Sequence, residues 1–253
     1  MKRLIIRADD LGYSEAVNYG IEKSIRDGLV RSAGLMTNME AAAHGVALVK
    51  DTGVCLGQHT NICVGRPLTD PALIPSLCQP NGEFKVSRTY RDAAKRGEDF
   101  VVLEEVVLEI EAQYRRFIQL TGKQPGYFEG HAVASGNYFK GLEIVAQRYG
   151  LNYFKIVPGG VCSFCGIDVH VCVAEDFNCY DPMDILKKTL AQEHSDEAVD
   201  AFILHPGYLD DYILTHSTLT IPRTKDVKMI CAPETKAWLD AQPVRLITYE
   251  DLI

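Results

Sequence analysis

With 253 residues, 47% of them apolar and 24% charged, the chain has an ordinary globular composition and is long enough for one large domain burying roughly 70–75% of its unfolded surface. A formal net charge of −8, with no cluster of Lys and Arg to offset it, argues against a protein that tracks nucleic-acid phosphates. No apolar run reaches the roughly 18 residues of a membrane helix, and the first strand begins without a signal-like leader, so a cytoplasmic protein with no membrane partner is expected.

Apolar runs alternate with helix-like stretches nearly throughout. The first strand covers residues 3–8 and leads directly into Asp9, Asp10 and Gly12. Two carboxylates leaving a buried strand need a metal, a cation or several donors. Neighbours on a strand point to opposite sides, so they can take separate tasks, one on a metal and one on a proton. Ser14 caps a helix over 15–27. A second strand at 30–36, a helix near 40–51 and a third strand at 54–58 follow. Residues 60–100 hold Pro67, Pro71, Pro75 and Pro80 and few periodic apolar residues, which predicts a long loop insertion.

The clearest helix spans 101–120, ended by Gly122 and Pro125. Strand 127–130, helix 137–149, strands 153–157 and 169–174 with Gly159, Gly160 and Gly166 in the turns, helix 182–193 and strand 201–204 complete the middle. After a loop to about 220, helices at 222–230 and 233–241 lead to a last strand at 244–247. Strands separated by ten- to fifteen-residue helices imply βαβ units and a mainly parallel sheet. With no Gly-x-Gly-x-x-Gly after the first strand, a dinucleotide-binding fold loses its main support. The expected fold is α/β, an irregular (β/α) barrel of the TIM-barrel type, in one domain over 1–253.

Eight cysteines are expected to be reduced in the cytoplasm. Cys162, Cys165, Cys172 and Cys179 are spaced C-x2-C-x6-C-x6-C, one zinc knuckle where a ribbon needs two, so the cluster reads as small apolar residues rather than a zinc site.

In a barrel the chemistry sits at the C-terminal strand ends. Those ends carry Asp9 and Asp10, Thr37 and Asn38, His59, Glu129 and His131, and His205; His44, His170, His194 and His216 fall elsewhere. Two imidazoles and a carboxylate hold a divalent ion and leave positions open for water and substrate. Such donors suit zinc, cobalt, nickel or manganese better than magnesium. A second carboxylate within reach takes the proton of an attacking water, and His205, titrating near neutrality, is placed to protonate a leaving group.

Arg7-Ala8-Asp9-Asp10-Leu11-Gly12 with Asn18-Tyr19-Gly20-Ile21, Gly28-Leu29-Val30-Arg31-Ser32 with Met36-Thr37-Asn38, Leu56-Gly57-Gln58-His59 and Leu204-His205-Pro206-Gly207 resemble the YdjC-like carbohydrate deacetylases, the family of a chitooligosaccharide deacetylase. The resemblance runs from the first strand to at least residue 223. It implies a barrel related to the polysaccharide deacetylases, a divalent metal (magnesium is commonly named for the family), and removal of acetyl groups from N-acetylated sugars or short oligosaccharides. Carried over, Asp10, His59 and His131 look like the metal ligands, Asp9 like the catalytic base and His205 like the general acid. One segment departs: the family's Asp-x-His-x-x-x-His run is here Phe128-Glu129-Gly130-His131-Ala132-Val133-Ala134-Ser135, which keeps His131 and replaces later histidines with Ala132, Val133 and Ser135.

Asn38, Asn61 and Glu129 are candidate substrate contacts, and Tyr138, Tyr208 and Tyr212 candidate sugar-stacking residues. Arg66 and the 60–100 segment are placed to cover the site or meet a second subunit, a homodimer being the default assembly. Two rival readings stand: a glycoside hydrolase using carboxylates alone, with Glu129 as one of the pair, and a metal- and sugar-binding barrel without turnover.

Overall fold

The computed structural model describes residues 1–157, 161–172 and 180–253. In chain order the elements are β1 (Lys2–Leu11), α1 (Glu15–Arg26), β2 (Ser32–Leu35), α2 (Ala42–Val49), β3 (Cys55–Thr60), α3 (Ser87–Lys95), α4 (Leu103–Thr121), β4 (Phe128–Gly130), α5 (Gly136–Tyr149), β5 (Phe154–Lys155), β6 (Cys162–Phe164), β7 (Ile167–Val171), α6 (Pro182–Ala191), β8 (Val199–Leu204), α7 (Asp211–His216), α8 (Ile221–Ile230), α9 (Pro233–Asp240) and β9 (Val244–Ile247). The sheet runs β4-β3-β2-β1-β8-β7-β6-β5. A parallel bridge between Phe128 and Tyr153, beside β5, brings its two edges together into a nearly closed barrel. The expected α/β barrel is therefore the observed one.

β1 is long because it serves three neighbours. β8 pairs with Leu4–Ala8 on one edge, while the other edge is divided between β9, at Lys2–Ile5, and β2, from Arg7 onward. Its side chains alternate as a strand requires. Leu4, Ile6 and Ala8 join the apolar layer under α1 and α2, and Ile5 joins the barrel interior with Tyr127, Phe154, Phe164 and Tyr249. Arg7 and Asp9 share the inward face of Ile5.

Three local expectations fail for identifiable reasons. β6 pairs antiparallel with both β5 and β7, and β6 was not expected. It forms a hairpin with β7 whose two turn residues, Cys165 and Gly166, both have positive φ, 50° and 79°, the geometry of a type I′ turn in which Asn-Gly is the usual signal. The 60–100 segment contains α3, of which only Tyr90 and Ala93 are buried; two apolar positions make too faint a stripe to read as a helix. α7 was missed because it is a single short helix of six residues. Residues 173 and 174 of the expected strand, the turn at Gly159-Gly160, and Cys179 lie outside the described residues. The other three clustered cysteines go separate ways, Cys162 into the barrel interior, Cys165 onto an exposed turn and Cys172 half-buried beside a cavity.

A buried carboxylate and a buried amide tie the 60–100 segment to α4. Glu109 accepts the backbone N–H groups of Leu68 (3.1 Å) and Thr69 (2.9 Å), and Gln113 one turn later bonds the backbone of Asn61 at both its N–H and its carbonyl. The segment is thus held by these polar contacts together with Ile62, Ile74, Leu77, Phe84 and Tyr90, which pack in one apolar cluster with Val106 and Ile110 of α4.

Candidate functional site

The interior end of β1 is built around Arg7, which is 2% exposed. Its guanidinium grips Asp9 with two contacts, Nε to Oδ1 at 2.7 Å and Nη2 to Oδ2 at 2.8 Å, and donates from Nη1 to the Tyr249 hydroxyl at 3.1 Å. The rings of Phe154, Tyr127 and Tyr249 lie 5.3, 5.4 and 6.0 Å from its centre, an aromatic cage that replaces water with π-faces. Gly57 leaves room for it: a Cβ there would stand 2.3 Å from the Tyr127 ring. Burial opposes ionisation of Asp9, but Arg7, with His59 and His205 nearby, outweighs it and holds the carboxyl below its usual range.

In a regular strand Asp10 would face the outer layer. Instead the β1–β2 register slips between Ala8 and Leu11, and Asp10 takes φ of +76°, a left-handed conformation that aspartate tolerates better than most residues. This bulge turns the second carboxylate inward, so the neighbours converge where a flat strand would splay them. Asp10 Oδ2 receives a hydrogen bond from Arg223 Nη2 at 2.7 Å. Asp10 Oδ1 is buried without a hydrogen-bond partner and lies 3.3 Å from His59 Nε2 and 3.2 Å from His131 Nδ1, which are 2.9 Å from each other.

Those three atoms, from β1, β3 and the residue after β4, form a triangle with sides of 2.9–3.3 Å. Adjacent ligands with bonds of about 2.1 Å to one ion lie about 3.0 Å apart in octahedral and about 3.4 Å apart in tetrahedral geometry. The donor set fits a divalent ion. His59 Nδ1 contacts Glu129 Oε1, which leaves Nε2 directed at the triangle; a carboxylate behind a metal-binding imidazole fixes ring and tautomer in this manner. Burial alone would lower both imidazoles. Glu129 and Asp9 raise His59 well above its ordinary value, and Asp10 pushes His131 up to about 9.

The other wall comes from the loop after β8 and from α8. α1 meets that loop backbone to backbone: a Cβ on Gly20 would sit 2.5 Å from Gly207 Cα. Asp226 accepts the His205 backbone N–H at 2.9 Å and the Tyr180 hydroxyl at 2.6 Å. Burial lowers the His205 imidazole despite Asp10 and Asp9, and pushes the Asp226 carboxyl up to about 6. Between about pH 4 and about 6 the folded protein retains the Asp226 proton while the unfolded chain has released it, so this group's contribution to stability falls as pH rises through that window. Urea unfolding of the wild type and Asp226→Asn should therefore show the wild type losing stability relative to the variant across pH 4–6, and a constant difference above about 7.

Asp9, His59, Glu129, His131 and His205 line one cavity of about 340 Å³ together with Ile156, Ile185 and Ile203. A second, of about 610 Å³, opens beside Tyr13 and is bordered by Asn38, His44, Arg66, Tyr212 and His216. The Tyr13 ring lies 6.5 Å from that of His131, which links this cavity to the triangle.

The expected substrate contacts fare unevenly. Asn61 is fully buried, its Oδ1 accepting from Cys63 and Val64 N–H and its Nδ2 donating to Asn38 Oδ1 and the Val64 carbonyl. Asn38 spends its amide on the carbonyls of Val64 and Arg66. Both amides organise the turn, and Asn38 also borders the larger cavity. Glu129, 1% exposed, is committed to His59 and lies 3.8 Å from Arg7. Tyr138 is core, with its hydroxyl on the Thr60 carbonyl; Tyr208 lies on the outer surface near Tyr19; Tyr212 alone reaches the larger cavity, stacked on His216 at 4.1 Å. His44 and His216, given no role from sequence, border that cavity, whereas His170 and His194 stack on each other beside Asp200. Arg223 and Asp226 were missed, because 213 residues separate Arg223 from Asp10. Arg7 was also given no role, although its place two positions before Asp9 puts it on the same strand face.

The sequence profile of the family described as YdjC-like protein matches residues 3–241. This chain belongs to the YdjC-like family. Similar relatives include a protein named carbohydrate deacetylase 2 of Listeria innocua, 30% identical across 99% of this chain and 98% of its own length, and a carbohydrate deacetylase of Geobacillus stearothermophilus, 32% identical across 98% and 96%. A chitooligosaccharide deacetylase of Escherichia fergusonii is 28% identical across 98% of both. Among solved structures, the EF3048 protein of Enterococcus faecalis superposes with a TM-score of 0.78 at 20% identity, over 99% of this chain and 98% of that one. A family 4 acetyl xylan esterase of Clostridium thermocellum, in complex with cobalt, gives 0.54 at 11% identity, over 99% and 90%. The fold is thus shared between this YdjC-like chain and the family 4 carbohydrate esterases. In the segment where a departure from the family pattern was expected, Ala132 has φ of +47°, Val133 is buried, and Ser135 caps α5 through the Tyr138 N–H while donating to Asp99.

Proposed function

We propose that this YdjC-like protein is a divalent-metal-dependent carbohydrate deacetylase acting on N-acetylated sugars or short oligosaccharides. The observation that carries the reading is the triangle of Asp10 Oδ1, His59 Nε2 and His131 Nδ1, set beside a second carboxylate, Asp9, in a cavity that also holds His205. A divalent ion held by the three would lower the pKa of water and polarise the acetamide carbonyl. Two imidazoles in the donor set favour zinc, cobalt, nickel or manganese over magnesium.

Asp9, ionised at neutral pH and fixed by Arg7, accepts the proton of the water that adds to the carbonyl carbon. His205, which follows the neighbouring strand β8 beside Asp9, passes a proton to the sugar nitrogen as the C–N bond breaks, giving acetate and an amino sugar. Glu129 is better read as the group that orients His59 than as a substrate contact. Glu129→Gln is expected to weaken metal binding by about 10–100-fold with little loss of folded protein, measured by calorimetric titration of the metal.

The glycosidase alternative is disfavoured because it needs two free acids across a cleft, whereas Glu129 is tied to His59 and Arg7. Acetate release from N-acetylglucosamine and its short oligomers tests the proposal. Activity should vanish on chelation and return with added zinc or cobalt. Cleavage of a glycosidic bond that survives chelation, or tight sugar binding with no acetate released by metal-loaded protein, would refute it.

A further inference from the structure

We infer that Arg223 is an internal counter-charge that keeps the metal site assembled in the metal-free protein, at the cost of weaker metal binding; this rests on the metal-dependent reading above. Three carboxylates, Asp9, Asp10 and Glu129, converge in the barrel mouth. Arg7 is bound to Asp9 and approaches Glu129. Among the described residues, Arg223 is the sole Lys or Arg within ion-pair distance of Asp10. Buried carboxylates without a partner either take up a proton or force the structure apart.

The placement of Arg223 is over-determined. It is 2% exposed, its Nε donates to the Leu219 carbonyl at 2.8 Å, its Nη2 donates to Asp10 Oδ2 at 2.7 Å, and its guanidinium centre lies 5.3 Å from the middle of the Tyr13 ring. Its Cδ packs over Gly207, and its carbonyl accepts the Gly207 N–H. Three residues along the same helix, Asp226 holds the His205 backbone. One turn of α8 therefore anchors both a ligand carboxylate and the loop of the general acid. Arg223 Nη1 is buried with no hydrogen-bond partner, which indicates that the guanidinium is kept for its charge and its grip on Oδ2 more than for a full set of hydrogen bonds.

Two consequences follow from that geometry. By occupying Oδ2, Arg223 confines Asp10 to a single ligand oxygen. It also sets a fixed positive charge beside the triangle that a divalent ion must enter, and like charges close together in a buried site repel. Removing the charge should therefore make the empty site less stable and the filled site relatively more favourable. A residue serving packing alone would act otherwise, since its loss would loosen the ligands and weaken metal binding.

The test uses cobalt(II) titrated into metal-free protein, followed by calorimetry and by visible absorption, together with the melting temperature of each form. Arg223→Met should bind cobalt at least about tenfold more tightly than the wild type, about 1.4 kcal/mol, and melt several degrees lower when metal-free. Arg223→Lys, which keeps the charge, should bind within about threefold of the wild type. If Arg223→Met does not yield folded metal-free protein, the double variant Asp10→Asn with Arg223→Met, which removes both charges, should fold and melt above Asp10→Asn alone, where the guanidinium is left unpaired. Unchanged or weaker cobalt binding by Arg223→Met, or a double variant no more stable than Asp10→Asn, overturns the counter-charge role. Failure of the wild type itself to bind cobalt overturns instead the metal-dependent reading beneath it.

Discussion

Asp9→Asn should bind its metal with near wild-type affinity yet release acetate about 10²–10⁴-fold more slowly, with the loss in kcat and little change in KM. The expectation follows from how the paired carboxylates are divided. Asp9 contributes no atom to the triangle of Asp10, His59 and His131, so an amide in its place leaves that donor set whole. Arg7 holds both Asp9 oxygens, so the isosteric amide keeps one contact and its position while losing the ability to take a proton. The corresponding Asp10→Asn change should do the reverse and abolish metal binding first. Steady-state kinetics on N-acetylated oligomers and a metal titration of both variants separate the two roles. If Asp9→Asn retains full kcat with metal bound, the base is another group.

The largest stability effect is expected from Arg7→Met, roughly 3–5 kcal/mol, because breaking a buried charge pair at one partner leaves the other uncompensated. Here two carboxylates lose their cation at once, since Glu129 also lies near Arg7. The flexible methionine would fill much of the aromatic cage of Phe154, Tyr127 and Tyr249, so the deficit reports charge more than volume. Urea unfolding at pH 7 should show it. The deficit should shrink as pH falls towards about 4, where Asp9, deprived of the guanidinium that holds its carboxyl low, takes up a proton more readily than in the wild type. A loss under about 1 kcal/mol would mean that water or another cation reaches these carboxylates.

How far the sequence could be read depended on the distance over which each signal acts. Local signals served well: the Ser14 cap, which accepts the Val17 N–H, the left-handed Gly122 after α4, and the alternation of apolar strands with helices. The polar strand ends led to Asp9, Asp10, His59, His131 and His205, all of which the fold brings into one region. What escaped was set by tertiary contact. Nothing local announces that Asp10 abandons strand geometry, since aspartates before a glycine occur in many turns. Arg223 and Asp226 sit on a helix with no clear apolar face to mark which residues point inward. The amides of Asn38 and Asn61, expected to meet the sugar, are bonded to each other and to the adjoining backbone, which no local signal announces. Ser135, expected to mark a departure from the family's pattern, serves as a helix cap tied to Asp99.

The divided edge of β1 also has a bearing on time. A strand hydrogen-bonded by β8 on one side and by β9 and β2 on the other cannot open without disturbing the beginning and the end of the chain together. Its amides belong to the most cooperative opening unit, the one released only with global unfolding. Under hydrogen–deuterium exchange, Leu4–Ala8 should be among the last positions to label, and emptying the metal site should leave them slow while the loops bearing His131 and His205 quicken.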